Sequence, residues 1–393
     1  MTDPILPGAV LGVLGGGQLG RIFALAAREM GYGVHVFSPE AFTPAAQVAD
    51  RSVHAPFEDE DAVEDFARGV DVVTFEFENV PAQTIRAAER HAPVRPNGAL
   101  LAATQERLRE KRALVQLGLP VAQHAAIESI EGLAAAAAGV GFPAILKTAA
   151  WGYDGKGQRR VDAEADFAPA YAELGRGRAV LERLVPFVAE ISVVGARGLD
   201  GSIELFEPFL NHHANHILDV TLVPAPIDPA TVAEAHAIAR AVLEGFDVVG
   251  VLCVELFLLA NGELLVNEVA PRTHNSGHVT LDAHRTSQFE QQVRAITGLP
   301  LGSVERLAPA AAMANLLGDL WTPAEPDWCA ALADPGVRLH HYAKREPRPG
   351  RKMGHLAVLD SDPERAEARV RAARSHLVDA LRISGEGPTW TRG

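Results

Sequence analysis

Two apolar runs, GVLCVELFLLA and ELLVNEVAP, are joined by Asn261-Gly262, and no other stretch restricts the fold as tightly. Asn-Gly between strand-like runs signals a hairpin with a two-residue type I′ turn, because both central residues must take positive φ. Counting outward from such a turn pairs Ala260 with Glu263 and puts Glu255 directly opposite Glu268. Facing side chains lie about 5 Å apart, and like charges there destabilise a sheet. A cation is therefore expected between them. Two carboxylates on one hairpin suit Mg²⁺, a hard ion that takes one or two carboxylates and fills its shell with phosphate oxygens and water. The alternative is a pair of solvated glutamates on a sheet surface.

A chain of 393 residues exceeds the size at which single cores usually stop growing, so two or three domains are expected. A net charge of −14 argues against a general nucleic-acid binder, whose affinity rests on clustered Lys and Arg. Cys253 and Cys329 are too few for a disulfide framework and lack metal-ligand spacing. No basic leader and no run approaching the ~20 apolar residues of a spanning helix is visible, so the expectation is a cytoplasmic protein without membrane contact.

The segment AVLGVLGGGQLGRIFALAAREMGYGVHVFSP reads as strand, glycine turn, helix and strand, with a third strand at DVVTFEFENV. That alternation predicts a parallel α/β sheet over residues 1 to about 100. A charged helix, TQERLREKRALVQLG, follows and closes at Gly118 and Pro120. Next come an alanine-rich helix at 132–138, a strand FPAILKT, the loop WGYDGKGQ, a strand RRV and a helix around 164–174, a small α+β lobe. Strands then dominate up to the opening hairpin, interrupted by the helix TVAEAHAIARAVLEGF. A helix near 284–297 and a β-rich piece complete the chain.

Gly15, Gly17 and Gly20 match G-x-G-x-x-G, with Glu40 near the end of the next strand. Such a turn brings a backbone close to a dinucleotide pyrophosphate, or to another ligand such as a phosphate. Gln18 and Arg21 are unusual company for a dinucleotide. FEFENVP sets Glu76 and Asn79 at the carboxyl edge of the parallel sheet, where ligands bind; Asn79 reads equally as a helix cap before Pro81. In KTAAWGYDGKGQ the amides of Gly152, Gly155 and Gly157 can approach a polyphosphate and Lys147 can neutralise it, unless the stretch is a plain hairpin tip. His212, His213 and His216 suggest zinc but lack a supporting spacing, and one histidine contacting a ligand is the competing reading. Arg272, His274, Asn275, Ser276 and His278 crowd beside Glu268 and read as a binding segment. KREPRPGRK reverses the local charge sign, as an anion site or a solvated turn would.

Taken in order, GGGQLGR, FEFENVP, LKT with GYDGKGQ, LERLVPF with EIS, ELFLLANGELLVNEVAPRTHNSGH, SQFEQ with RAITGLPLG, and RPGRKMGHL resemble the N5-carboxyaminoimidazole ribonucleotide synthetases. These are ATP-grasp enzymes of purine biosynthesis, and the resemblance spans nearly the whole chain. It implies a mixed α/β and α+β chain with the ATP-grasp fold. A Rossmann-like pre-ATP-grasp domain would cover 1–100, a small α+β lid 101–185 and a catalytic domain 186–300; a C-terminal β-rich part, 301–393, would pack with the last of these. The implied reaction uses ATP and bicarbonate, through carboxyphosphate, to carboxylate the N5 amine of 5-aminoimidazole ribonucleotide.

By the same resemblance ATP is contacted by Arg107, Lys147, the loop Gly152, Tyr153, Asp154, Gly155, Lys156, Gly157 and Gln158, and the hinge Glu182, Arg183, Leu184 and Val185. Glu190 holds the ribose, and His213, Asn267 and Glu268 add further contacts. Glu255 and Glu268 hold Mg²⁺, or Mn²⁺ in its place. Strict alternation turns Asn267 to the other face, and a bulge would resolve that tension. The ribonucleotide is gripped by Gln18, Glu76, Asn79, Tyr153, Arg272, His274, Asn275, Ser276, Lys344 and Arg351. Asp154 is the candidate to orient or deprotonate the attacking amine, and Lys352 the candidate for bicarbonate. Small-molecule substrates and a homodimer are the implied partners, with no nucleic acid. Competing readings are another ATP-grasp ligase, an NAD(P)-linked oxidoreductase on the first glycine motif, and a non-catalytic nucleotide-binding regulator.

Overall fold

The computed structural model describes residues 3–150 and 157–382. The first sheet is built from β1 (Val10–Leu14), β2 (Gly33–Ser38), β3 (Arg51–His54) and β4 (Val72–Phe75), all parallel in the order β3-β2-β1-β4, with helices following β1 and β3. Helix Gln18–Glu29 buries Leu19, Ile22, Phe23 and Ala27 against it. Strand β3 escaped the sequence reading because RSVH is a short, largely exposed edge with one strongly apolar residue.

A second sheet, antiparallel and ordered β5-β8-β6-β7, is made of β5 (His124–Ile127), β6 (Ala144–Thr148), β7 (Gln158–Val161) and β8 (Ala179–Arg183). Its core gathers Leu133, Ala137 and Val140 from the alanine-rich helix with Phe167 and Tyr171. The charged helix begins later than its sequence suggests, at Arg107, because the Glu106 carboxylate caps it by accepting from Leu108 N–H (3.2 Å).

Among the described residues the third sheet has nine strands. They are β9 (Phe187–Arg197), β10 (Ile203–Leu205), β11 (Phe209–Ala214), β12 (Ile217–Val223), β13 (Gly250–Leu259), β14 (Leu264–Ala270), β15 (Ala310–Leu317), β16 (Val337–His341) and β17 (Lys352–Asp360). The main path runs β14-β13-β9-β11-β12-β15-β17-β16, with β10 beside β9. Strands after residue 300 thus extend the same sheet rather than form one of their own. Its back face is covered by helix Pro229–Gly245 over Val193, Leu252 and Val254, and by helix Pro363–Arg382 over Leu316, Leu356 and Val358. The latter helix was not expected, since PERAEARVRAARSHL reads as charge rather than as an apolar face.

The opening hairpin differs from its expected turn. Leu259 N–H donates to Glu263 O (2.9 Å) and Gly262 N–H to Leu259 O (3.0 Å), so the loop holds three residues, Ala260, Asn261 and Gly262. Gly262 alone among these takes positive φ, +88°, while the Asn261 side chain accepts from Glu263 N–H (3.1 Å). That shifts the pairing near the turn to Leu258 with Leu264, and a bulge at Asn267 shifts it back. The two departures cancel, and Glu255 faces Glu268 as expected. In a bulge two residues oppose one, so Asn267 and Glu268 both lie opposite Glu255. A turn with positive φ at both central residues sits elsewhere, at Asn215 (+51°) and His216 (+64°), linking Ala214 to Ile217.

Candidate active site

At the carboxyl edge of the first sheet a side chain of the protein itself fills the glycine turn. Glu76, just past β4, accepts from Gly17 N–H (2.7 Å) and Gly20 N–H (3.4 Å). A Cβ on Gly15 would lie 2.7 Å from Glu76 Cγ, and one on Gly17 would lie 2.7 Å from its Oε2. The glycines make room for the protein's own carboxylate at the helix N-terminus, where a pyrophosphate would otherwise sit. This corrects the dinucleotide reading of that motif. Burial pushes the Glu76 carboxyl pKa up, opposed by the two amides and by the charges of Arg272 and Lys344. Gln18 opens the helix beside it. The capping reading of Asn79 also fails, since Pro81 is the N-cap and makes no side-chain cap bond.

The small sheet meets the large one through Leu184, Val185 and Pro186, the link between β8 and β9. Arg183 N–H donates to Gln123 O (2.8 Å) and Leu184 N–H to Pro143 O (3.0 Å), anchoring that link on the small-sheet side. On β8, Glu182 is buried between two ammonium groups, Lys147 Nζ at 2.9 Å and Lys111 Nζ at 3.3 Å. Burial raises its carboxyl pKa, but the two lysines more than offset that and hold it to about 2. Lys111 was missed in the sequence; its spacing from Leu108 and Leu114, three residues each way, places it on the buried helix face. Glu110 was missed too: it accepts from Val269 N–H (2.8 Å), and burial followed by repulsion from Glu268 pushes its pKa up to about 8. Arg107 starts that helix with its N–H on Ala149 O (2.8 Å). Gly157 and Gln158 lead into β7, while Gly152, Tyr153, Asp154, Gly155 and Lys156 lie outside the described residues.

On the large sheet His213 Nδ1 and Glu190 Oε1 approach to 3.3 Å. The zinc reading is corrected, because the three histidines diverge: His212 reaches towards Glu367 (3.9 Å), His213 towards Glu190, and His216 occupies the turn. Glu255 pairs with His274, Nε2 to Oε1 at 2.9 Å. His274 drives the Glu255 pKa down against desolvation, while Glu268 is raised, first by the surrounding protein and then by Glu255. Glu268 is nonetheless exposed to solvent. His274 satisfies only one side of the facing pair. The remaining donors, two carboxylates and the Asn267 amide, are hard and oxygen-rich and fit a Mg²⁺ ion that shares its shell with phosphates.

Arg272 spans the cleft to Glu78 at 2.7 Å and so ties the first sheet to the segment after β14. Ser276 Oγ lies 2.9 Å from His274 Nδ1. Two members of the segment differ from expectation. Asn275 spends its amide on a reciprocal pair with Asn315 (3.1 and 2.8 Å), and His278 is fully buried against Phe289, Tyr342 and His355. Gln288, at the start of helix Gln288–Thr297, braces the segment: its Oε1 accepts from His274 N–H (2.9 Å) and its Nε2 donates to His274 O (2.6 Å). Lys344 Nζ donates to Lys352 O (2.7 Å), Arg351 donates to Glu346 O (3.0 Å), and Lys352 at the head of β17 is close enough to help depress the Glu255 pKa.

Three families match consecutive parts of the chain: a ribonucleotide synthetase preATP-grasp domain over residues 9–105, an ATP-grasp domain over 112–289 and a phosphoribosylaminoimidazole carboxylase C-terminal domain over 311–369. The N5-carboxyaminoimidazole ribonucleotide synthase of Bacillus subtilis is 42% identical over 355 residues, 90% of this chain and 92% of that one. An N5-carboxyaminoimidazole ribonucleotide synthetase solved as its ADP complex superposes with a TM-score of 0.89 at 40% identity, covering 97% of this chain and all of the other. The Aspergillus clavatus enzyme, solved with ADP and 5-aminoimidazole ribonucleotide, superposes at 0.85 with 28% identity, covering 94% and 99%. With the cleft's geometry and these likenesses in agreement, the chain belongs to the N5-carboxyaminoimidazole ribonucleotide synthase family of ATP-grasp enzymes.

Proposed function

We propose that this protein uses ATP and bicarbonate to carboxylate the N5 amine of 5-aminoimidazole ribonucleotide, releasing ADP and phosphate in purine biosynthesis. One observation carries the reading. The facing Glu255 and Glu268 lie between a cleft side bearing Lys147, Glu182, Glu190 and His213 and another bearing Arg272, His274, Ser276 and Lys352. The first side suits a nucleotide triphosphate and the second an anionic ribonucleotide.

In this reading Arg107 and Lys147 neutralise the ATP phosphates, residues 182–185 form the hinge facing adenine, and Glu190 takes the ribose, with His213 and Asn267 alongside. Residues 152–158 contact the phosphates, and keeping water from the site protects an intermediate as labile as carboxyphosphate. Glu255 and Glu268 would hold Mg²⁺, which supplies charge neutralisation on the phosphates when bound. A bicarbonate oxygen attacks the γ-phosphorus as its bond to ADP breaks. The substrate amine then attacks the carboxyl carbon, phosphate leaves with the C–O electron pair, and the amine proton passes to Asp154.

Lys352 binds the bicarbonate and the developing carboxylate. Gln18, Glu76, Asn79, Tyr153, Arg272, His274, Ser276, Lys344 and Arg351 grip the ribonucleotide, with Glu76 towards its aminoimidazole. Asn275 enters only through its hold on Asn315. The working division is 1–100 for ribonucleotide, 101–185 as lid, 186–300 for chemistry and 301–393 as a buttress. A cytoplasmic homodimer accompanies this reading and is checked by sedimentation. The deciding experiment is phosphate release from ATP with each co-substrate omitted in turn: release must require bicarbonate and rise with aminoimidazole ribonucleotide. Release indifferent to both would overturn the assignment.

A further inference from the structure

Register puts one polar residue from each strand of the main path on a single face of the large sheet. Glu268 faces Glu255, which faces Ser192. Two residues along β9 from Ser192, on the same face, Glu190 faces Asn211, and Asn211 faces Thr221. Across β12 and β15, Thr221 faces Met313, two residues from Asn315; Asn315 faces His355, which faces His340. A stripe of eight side chains thus crosses β14, β13, β9, β11, β12, β15, β17 and β16. Its middle members are deeply buried, with Ser192 and Thr221 at 0% exposure, Asn211 at 5% and Asn315 at 1%.

Buried polar groups cost stability unless they satisfy one another, and a satisfied network specifies one arrangement. Here the bonding is continuous: Thr221 Oγ1 donates to Asn211 Oδ1 (3.0 Å), Asn211 Nδ2 donates to Ser192 Oγ (2.9 Å), and the Ser192 and Ser276 hydroxyls meet at 2.8 Å. From Ser276 the chain passes to His274 and on to Glu255. The segment 272–278 lies along this stripe and docks residue by residue: His274 on Glu255, Ser276 on Ser192, Asn275 on Asn315, and the His278 ring beside that of His355.

We infer that Ser192, Asn211, Thr221 and Asn315 are positioning residues, a polar stripe that sets where His274 and Ser276 stand in the ribonucleotide half of the cleft. None of the four needs to touch substrate. An apolar face would bind the segment through shape alone, whereas directional bonds at separate points fix both its height and its rotation. The inference rests on the proposed function only for the identity of the ligand.

Hydrogen–deuterium exchange and steady-state kinetics on the full chain test it, with Ser192→Ala and Asn315→Leu compared with Val193→Ala, which removes bulk from the back face beside Ser192. Ser192→Ala and Asn315→Leu are expected to raise deuterium uptake in 272–279. They should also raise KM for aminoimidazole ribonucleotide about tenfold with KM for ATP changed less than about twofold. Val193→Ala should do neither. Uptake in 272–279 no greater than in Val193→Ala, or equal rises in both KM values, overturns the inference. If the wild-type enzyme ignores aminoimidazole ribonucleotide, the functional reading falls and the exchange data alone decide the stripe.

Discussion

Lys111→Met isolates the buried charge cluster under the proposed nucleotide half. Glu182 is held at a pKa of about 2 against an ordinary 4.5, with Lys147 and Lys111 supplying the attraction that overcomes its burial. That depression corresponds to about 3 kcal/mol favouring the folded state at neutral pH. The lysines stand at 2.9 and 3.3 Å, so each supplies a comparable share of an attraction that exceeds the net figure by the cost of burying the carboxylate, and removing Lys111 should forfeit about 2 kcal/mol or more. The remaining Lys147 keeps the loss below the ~3–5 kcal/mol of a buried pair broken outright.

The pH dependence carries a sign. A carboxyl whose folded pKa is depressed contributes stability that is complete above about 4.5 and disappears as pH falls towards 2. The gap between wild type and Lys111→Met should therefore be widest at pH 6–7 and narrow steadily below about pH 4.5. Urea unfolding followed by circular dichroism at a series of pH values measures it. Calorimetry adds a second readout, because Glu182 would then hold Lys147 alone and ATP affinity should drop several-fold. A gap that stays constant from pH 7 to pH 3, or a variant as stable as wild type with unchanged ATP affinity, refutes the reasoning.

Three further outcomes are expected. Glu268→Gln should weaken Mg-ATP binding at least about tenfold by calorimetry, the order of one lost charge-assisted contact; an unchanged Kd would remove Glu268 from the metal. Asp154→Asn should leave ATP affinity within about twofold while cutting carboxylation by about a hundredfold or more, within the range of general-base catalysis, and near-wild-type turnover would exclude Asp154 as the base. Gly15→Ala puts a Cβ 2.7 Å from Glu76 at a φ of +114°, so it should cost about 2 kcal/mol or more in urea unfolding. A neutral substitution there would mean that Glu76 does not occupy the turn.

Several parts of the site are legible from local pattern. Lys147 at a strand end, the paired glutamates and the crowd from Arg272 to Ser276 stand out because charged residues interrupt apolar runs at short range. Lys111 and Glu110 hide inside RLREKRALVQ, where charge masks the helical period of Leu108 and Leu114. Ser192, Asn211, Thr221 and Asn315 look like ordinary strand residues, since each meets its partners only across a strand boundary. The glycine motif misleads for a similar reason: a sequence shows that a turn admits close approach, not that the approaching group is Glu76, 59 residues from Gly17.

Turn chemistry, alternation and helical spacing depend on neighbours in the chain, so the sequence by itself determined most of the strands and helices apart from β3 and helix Pro363–Arg382, and the existence of the 250–270 hairpin. Tertiary structure decided what depends on strands far apart in sequence. It set the order of the nine-stranded sheet, placed the bulge at Asn267 that compensates for a three-residue turn, and aligned polar residues of eight strands on one face. Each strand alone alternates two faces with equal ease; packing helices Pro229–Gly245 and Pro363–Arg382 on one face leaves the other to hold the site.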